Sequence, residues 1–344
     1  MVLRVAVVGS GEMGRKYAEA LARYVSGTSF AGVAGGSRAA ALASAYGVPH
    51  LTVESAIAQR EIDAVVIATP HSTHVPLATA AASHRKHVYI EKPLARDIFE
   101  CDQIIEACQQ SGVKLAVNTV TRFRPSPIAA KRALDAGLIG SLRMVRVLSS
   151  AVGYEPEYKS WTSDPQEGGI WLDWGCHGCD ALRWFVGASP IEAFGRMTDY
   201  SGGPALDRSV MAQFAFPGHV TAQLLMSFEM PAPGLGSASQ WTFIGSDGVI
   251  ELDGYAKTRL GTVSGWRELS DQLPFDFDRE PLAPHLIGPF GAQLQDFVDA
   301  IRDDRDPLVT GADGRASVEM VEAARRSSVL GRSVALPLEP VSPR

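Results

Sequence analysis

Long apolar runs are missing from this chain of 344 residues. No apolar stretch reaches the ~18 residues that cross a bilayer, so no membrane segment is expected. Cysteine is scarce, with four residues at 101, 108, 176 and 179. That is too few for a disulfide scaffold in a chain of this size. Clusters of lysine and arginine are also absent, and 38 acidic residues against 32 basic leave a net charge of −6. A protein drawn to DNA or RNA by its field needs the opposite sign or a basic cluster, so nucleic acid is not an expected partner. The N-terminus lacks the basic n-region, apolar h-region and small-residue cleavage site of a secretory signal. A cytoplasmic protein is the expectation. There is no internal repeat and no low-complexity tract.

What is present belongs to a folded chain: 46% apolar and 20% charged residues, in a length that suggests two domains. Up to about residue 120, short β runs (Leu3–Val8, Ser29–Ala34, Ile62–Ala68, Val88–Ile90, Lys114–Val117) alternate with Ala-rich helical stretches. The β runs are apolar on both faces, as in a parallel sheet covered by helices on each side. Residues 1–120 therefore read as a doubly wound α/β Rossmann domain. Residues 121–344 read as an α+β domain with a large open, predominantly antiparallel sheet. Longer alternating runs (Arg143–Ser150, Ser209–Phe216, Val220–Phe228, Gln240–Ile244, Val249–Leu252) follow one another there with few helices between. Two late helices are expected near 289–302 and 313–330, and 255–285 has no assignment.

The first chemical motif is Gly9-Ser10-Gly11-Glu12-Met13-Gly14, directly after the first strand and opening a helix. In that context Gly9 allows the tight turn, Gly11 the close approach of a pyrophosphate, and Gly14 the packing of helix on sheet. The helix N-terminus adds unpaired N–H groups for the phosphates. An NAD site ends its second strand in an acid that binds the ribose hydroxyls. Here no Asp or Glu occurs between Ala20 and Val53, and Ala34-Gly35-Gly36-Ser37-Arg38 stands at that place. A hydroxyl and a guanidinium suit a 2′-phosphate, so NADP is favoured over NAD. The plainer alternative leaves Arg38 as a solvated residue opening the next helix.

Lys92, in Glu91-Lys92-Pro93, follows the strand Val88–Ile90. It lies where ligands of doubly wound folds collect, and its ammonium could stabilise a developing alkoxide. Pro93 fixes φ and in the cis form would aim the lysine rigidly; the bland alternative is a surface lysine. The densest stretch is Gly168-Gly-Ile-Trp-Leu-Asp173-Trp-Gly-Cys-His177-Gly-Cys-Asp180. Helical spacing puts Asp173, His177 and Asp180 on one face, a natural acid/base device, or else a satisfied core histidine. The small residues Gly175, Cys176, Gly178 and Cys179 would leave room for a ligand beside His177. No metal is expected, because the CxxC spacing at 176–179 lacks a second ligand pair.

Taken in order, the glycine motif, Thr69-Pro70-His-Ser-Thr-His74, Glu91-Lys-Pro-Leu-Ala95, Arg122-Phe-Arg-Pro125 and the Asp173/His177/Asp180 stretch resemble one family. It is the glucose–fructose oxidoreductase/inositol dehydrogenase/rhizopine-catabolism (Gfo/Idh/MocA) family of nicotinamide-dependent oxidoreductases. The resemblance covers the first domain and the start of the second; past residue 190 only length and strand pattern agree. It implies NAD(P)-dependent hydride transfer at a hydroxyl or carbonyl of a sugar, cyclitol or related polyol. It implies Lys92, Asp173 and His177 as the catalytic group, with Lys92 holding the reacting oxygen and His177 taking the proton. Thr69, Pro70, His74 and Glu91 would lie along the cofactor, and Arg122, Trp161 and Asp180 near the substrate. Tyr154, Tyr158 and Trp171 are further aromatic residues that could stack on a sugar. The resemblance also implies a homodimer or homotetramer formed through the open sheet. A nicotinamide-using glycosidase and a non-catalytic sugar or cofactor sensor stay open as alternatives.

Overall fold

The computed structural model describes residues 2–152, 164–200, 207–270, 272–274 and 280–339. Two compact units make up the chain: Met1–Phe123 with Asp276–Arg315, and Arg124–Phe275 with Ala316–Arg344.

The first unit holds β1 (Leu3–Val8), α1 (Glu12–Arg23), β2 (Thr28–Ala34), α2 (Ala39–Ala45), β3 (His50–Leu51), α3 (Val53–Ala58), β4 (Ala64–Ile67), α4 (His74–Ser83), β5 (His87–Ile90), α5 (Ile98–Ser111) and β6 (Leu115–Val117). The strands pair in parallel in the order β3-β2-β1-β4-β5-β6. Strand order reverses between β1 and β4, so the crevice for a ligand opens at the carboxyl ends of those two strands. Residues Val5–Val8, Ala64–Ile67 and Val88–Ile90 are buried throughout, because helices cover both faces. The short β3 and α3 have too few residues to show a period in the sequence, and the sequence assigns neither.

The chain continues with α6 (Pro125–Asp135), β7 (Leu142–Val152), α7 (Gly169–Val186), β8 (Glu192–Thr198), β9 (Ser209–Ala215), β10 (Thr221–Met230), β11 (Ser239–Gly245), β12 (Gly248–Asp253), β13 (Thr258–Thr262), β14 (Gly265–Glu268), α8 (Pro284–Arg302), α9 (Gly311–Leu330) and β15 (Val334–Ala335). Among the described residues the second unit has a nine-stranded sheet, ordered β14-β13-β12-β11-β7-β10-β9-β8-β15. Its pairs are antiparallel except β7 with β10. Val145, Val147, Ala212, Phe214, Leu224 and Phe243 alternate onto the buried face, against which α7 packs through β10 and β7. The opposite face presents Met144, Phe194 and Met211 to solvent.

The division differs from the expected boundary at 120/121 in one substantial way. Helix α8 belongs to the first unit, where Ile287, Phe290, Leu294, Phe297 and Val298 join Leu3, Val5, Val7, Tyr17 and Tyr89 in one core. Their spacing of three and four residues makes a single apolar stripe, and the stripe needs a partner that only the packing reveals. No helix among the described residues is long and apolar enough to cross a membrane.

Candidate active site

Helix α1 starts at the glycine turn. Gly9 has φ +120°, and a Cβ there would collide with the Ala68 carbonyl; one on Gly14 would collide with the carbonyl of Gly9. Those two glycines are demanded by packing. Gly11 is different: the nearest atom to a Cβ there is Arg38 Nη2 at 3.8 Å, so the space above it is open. Gly11 also caps α1 without any side-chain hydrogen bond, leaving the first amides of the helix to an incoming anion. The residues present fit a dinucleotide. Glu12 and Met13 supply the first amides of the helix, while the Glu12 side chain pairs with Lys16 at 2.7 Å and the Met13 side chain packs on the core.

At the end of β2 the chain passes through Gly35 and Gly36, both at positive φ, into Ser37 and Arg38, both exposed. Arg38 borders a cavity of about 410 Å³ lined also by Ser10, Gly11, Arg15, Leu42 and Leu282. Arg15 was not singled out from sequence, although it directly follows the last fingerprint glycine. Glu12 and Lys16 line the same cavity and pair with each other at 2.7 Å, whereas among the described residues neither Arg15 nor Arg38 has an ion-pair partner.

The sequence places Glu91 and His74 along the cofactor; in the structure both are buried, at 4% and 0% exposure. Glu91 accepts hydrogen bonds from the Tyr17 hydroxyl, from Asn118 Nδ2 at 2.7 Å and from the Lys92 amide at 3.0 Å. Burial and the Glu91 charge raise the pKa of Tyr17 well above its usual value, so the phenol stays a donor. His74 places Nδ1 3.0 Å from the Pro93 carbonyl and Nε2 3.0 Å from the Thr69 carbonyl. Burial pushes its pKa down to about 4, so the ring is neutral near pH 7 and donates from one nitrogen only. Thr69 is half-buried and Pro70 exposed, and Thr73 Oγ1 donates to Thr69 Oγ1 at 2.7 Å. Lys92 is half-buried, and the Lys92–Pro93 bond is cis.

In the second unit, α7 opens after Gly168 and Gly169, both at positive φ. Arg325 donates to the Gly168 carbonyl at 2.9 Å and to Asp207 at 2.7 Å. Trp171 Nε1 donates to the Val321 carbonyl at 3.0 Å. Helix α9 thus fixes the first turn of α7, a function of Arg325 that no local pattern around it announces. Asp173 and Asp180 are buried, while His177, on the same helix face, is half-buried with its ring centroid 6.1 Å from that of Trp174. The small residues serve packing: a Cβ on Gly178 would strike Leu224 of β10, and one on Gly175 would strike the Trp171 ring. Room for a ligand is therefore not their reason.

Cys176 donates its thiol to the Asp173 carbonyl at 3.3 Å, and burial raises the Cys179 pKa well above the ordinary value. Both are inert core thiols, and no metal-binding group of His, Cys, Asp or Glu occurs among the described residues. Arg122 pairs with Asp313 at 3.2 Å within the first unit. Trp171 is fully buried and cannot stack on a sugar. Tyr154, Tyr158 and Trp161 lie outside the described residues.

Residues 3–119 match the family model "Oxidoreductase family, NAD-binding Rossmann fold", and residues 128–251 match the "GFO/IDH/MocA C-terminal domain". Scyllo-inositol 2-dehydrogenase (NAD(+)) of Bacillus subtilis is 28% identical over 97% of this chain and 96% of its own. Inositol 2-dehydrogenase of Rhizobium meliloti is 26% identical over 98% and 100%. Among solved structures, aldose-aldose oxidoreductase from Caulobacter crescentus superposes with a TM-score of 0.85 at 24% identity, covering 98% of this chain and 100% of that one. That last likeness is one of fold.

The contrast among the three glycines yields a test. Gly11→Ala should leave the melting temperature nearly unchanged, because a methyl fits the open space, yet weaken dinucleotide binding about tenfold or more by standing where the pyrophosphate approaches. Titration with NADPH and NADH checks it, and unchanged affinity would remove the glycine turn from the binding site.

Proposed function

The chain belongs to the Gfo/Idh/MocA family of oxidoreductases, and from that premise we propose an NADP-preferring dehydrogenase of a cyclitol or related neutral polyol. The substrate class follows the names of the relatives at 28% and 26% identity and the absence of an Arg or Lys cluster that would mark a phosphorylated substrate. The observation that carries the reading is the polar face of α7, with His177 half-buried between two buried carboxylates on an otherwise apolar helix. Such a face is costly to bury without a task or full pairing.

Bound NADP⁺ supplies the acceptor for the hydride that leaves the carbinol carbon. His177 takes the hydroxyl proton, and Asp173, one helical turn away, orients the imidazole or the substrate. Lys92 donates to the reacting oxygen as it gains negative charge. Asp180 and Arg122 contribute to holding the polyol.

For the cofactor, the carrying observation is the cavity at the end of β2. Arg15 and Arg38 face it without carboxylate partners, and a 2′-phosphate would give both a charge-assisted partner. NAD would bring a ribose hydroxyl to a place with no acid to receive it. The outer face of the large sheet supports a homo-oligomer. There the register lines up Met211 with Leu225 and Leu225 with Leu148, and Met211 is 55% exposed.

Three outcomes are expected. With a panel of myo-inositol, scyllo-inositol and aldoses, wild-type protein should reduce nicotinamide stoichiometrically, and Lys92→Ala and His177→Ala should each lower kcat by ~10²–10⁴ with nucleotide binding intact. Wild-type turnover in both variants, or cleavage of glycosides added to the same panel without net reduction, would sink the assignment. Arg38→Ala and Arg15→Ala should each raise the KM for NADP⁺ by about 10–100-fold and leave NAD⁺ nearly unaffected; equal loss for both nucleotides would refute the 2′-phosphate site. In light scattering, Met211→Asp should yield monomers from a wild-type oligomer. A wild-type monomer would dispose of the sheet interface.

A further inference from the structure

The end of β5 holds more buried polarity than a strand terminus requires, and it is gathered around one peptide. The sheet ladder already secures this place: the Glu91 amide donates to the Ile67 carbonyl at 2.9 Å, and the Asn118 amide to the Ile90 carbonyl at 2.8 Å. Those bonds tie β5 to β4 and β6 and stop there. The next amide, that of Lys92, donates to the Glu91 carboxylate at 3.0 Å.

That carboxylate is itself fixed from two distant points. Tyr17 comes from the second turn of α1, and Asn118 is the residue after β6. Asn118 is held in turn by the Tyr89 hydroxyl at 3.3 Å. Tyr17, Tyr89 and Asn118 are all buried. On the far side of Lys92, the Pro93 and Leu94 carbonyls lie 3.0 and 3.3 Å from His74 Nδ1. For stability alone, apolar residues in place of Glu91 and its two side-chain partners together would fill this core as well or better, since a buried polar network seldom gains over hydrophobic isosteres. A buried carboxylate does one thing such side chains cannot: it accepts the amide of the residue that follows.

We propose that Glu91, clamped by Tyr17 and Asn118, is a positioning residue that presets the Lys92 peptide so that the ammonium is presented in one direction before substrate arrives. This rests on Lys92 holding the reacting oxygen, as set out above. Pre-setting matters because misplacing a reacting group by about 1 Å can cost ~10² in rate. Two of the Glu91 bonds, from Tyr17 and from the Lys92 amide, connect helix α1, which carries the glycine turn, to the lysine. The nucleotide cradle and the lysine therefore share one rigid support.

Glu91→Gln tests this. The amide oxygen can still accept from Tyr17 and Asn118, but the amide nitrogen then meets the Lys92 N–H donor to donor. Protein labelled with ¹⁵N at lysine should show the Lys92 amide exchanging with solvent about tenfold faster or more. With myo-inositol and NADP⁺, kcat should fall about 10–100-fold while the KM for myo-inositol and the Kd for NADPH change less than about threefold. If Glu91→Gln does not fold, Asn118→Ala removes one clamp and keeps the charge, and should give the same split at smaller size. Unchanged Lys92 exchange overturns the proposal, and that measurement needs no substrate. So does a fall in kcat matched by equal loss of NADPH affinity, the mark of a purely structural role. A fully active Glu91→Gln beside an inactive Lys92→Ala sinks this inference alone, whereas a fully active Lys92→Ala sinks the reading on which it stands.

Discussion

A parallel sheet that is apolar on both faces has nowhere to put chemistry except at its ends. In the first unit β1, β4 and β5 offer no polar side chain to a ligand along their buried lengths, and helices close both surfaces. Gly9, Ala68 with Thr69, Glu91 with Lys92, and Asn118 are the first residues past the carboxyl ends of β1, β4, β5 and β6. They are neighbours because the strands are neighbours, and the polar groups of this unit depend on that constraint. It also explains why the sheet end can hold a buried carboxylate. Strand amides that would otherwise seek water there are already paired, and the remaining donors converge on Glu91.

The second unit solves a different problem. An open sheet with one covered face needs a helix broad enough to cover it, and α7 does so with Trp171, Leu172, Leu182 and Phe185 buried. A helix so apolar has one stripe left for polar residues, and Asp173, His177 and Asp180 occupy it. Its first turn carries two glycines at positive φ and no side-chain cap, which would leave the polar stripe loosely anchored. Arg325 and the Val321 carbonyl supply that anchor from α9. Packing and the placement of candidate catalytic groups are thus carried by the same helix.

The sequence made the periodic features legible. The alternation of short apolar strands with helices, the glycine turn at the first of them, and the three polar residues of α7 at helical spacing all stand in the structure as local patterns. What it could not disclose depends on partners far along the chain. Whether Glu91 turns toward a cofactor or into the core is decided by Tyr17, 74 residues away, and by Asn118. The small residues of α7 satisfied two explanations equally, and only Leu224 chooses between them. The stripe on α8 is plain in sequence, yet nothing local says that its partner is β1 rather than the strands just before it. Arg15 was passed over for a related reason. Its significance lies in facing the cavity while Glu12 pairs with Lys16 and Glu19 with Arg23, which no pattern in the first turn of α1 displays.

Cofactor choice illustrates how little of a fold such a property needs. The scyllo-inositol enzyme of Bacillus subtilis named for NAD(+) matches nearly the full length of this chain, and the determinant proposed here between the two nucleotides is confined to the end of β2 and the first turn of α1. Swapping an acid for Ser37 and Arg38 alters no strand, no core residue and no glycine of the turn. The net charge of −6 makes the local arrangement more telling, because the protein as a whole repels a triply charged phosphate ester. Two guanidiniums without carboxylate partners, bordering one cavity beside the N-terminus of α1, reverse that sign over a few ångströms. In a chain with more acidic than basic residues, two guanidiniums without ion pairs at the same place are the feature on which the proposed preference for NADP rests.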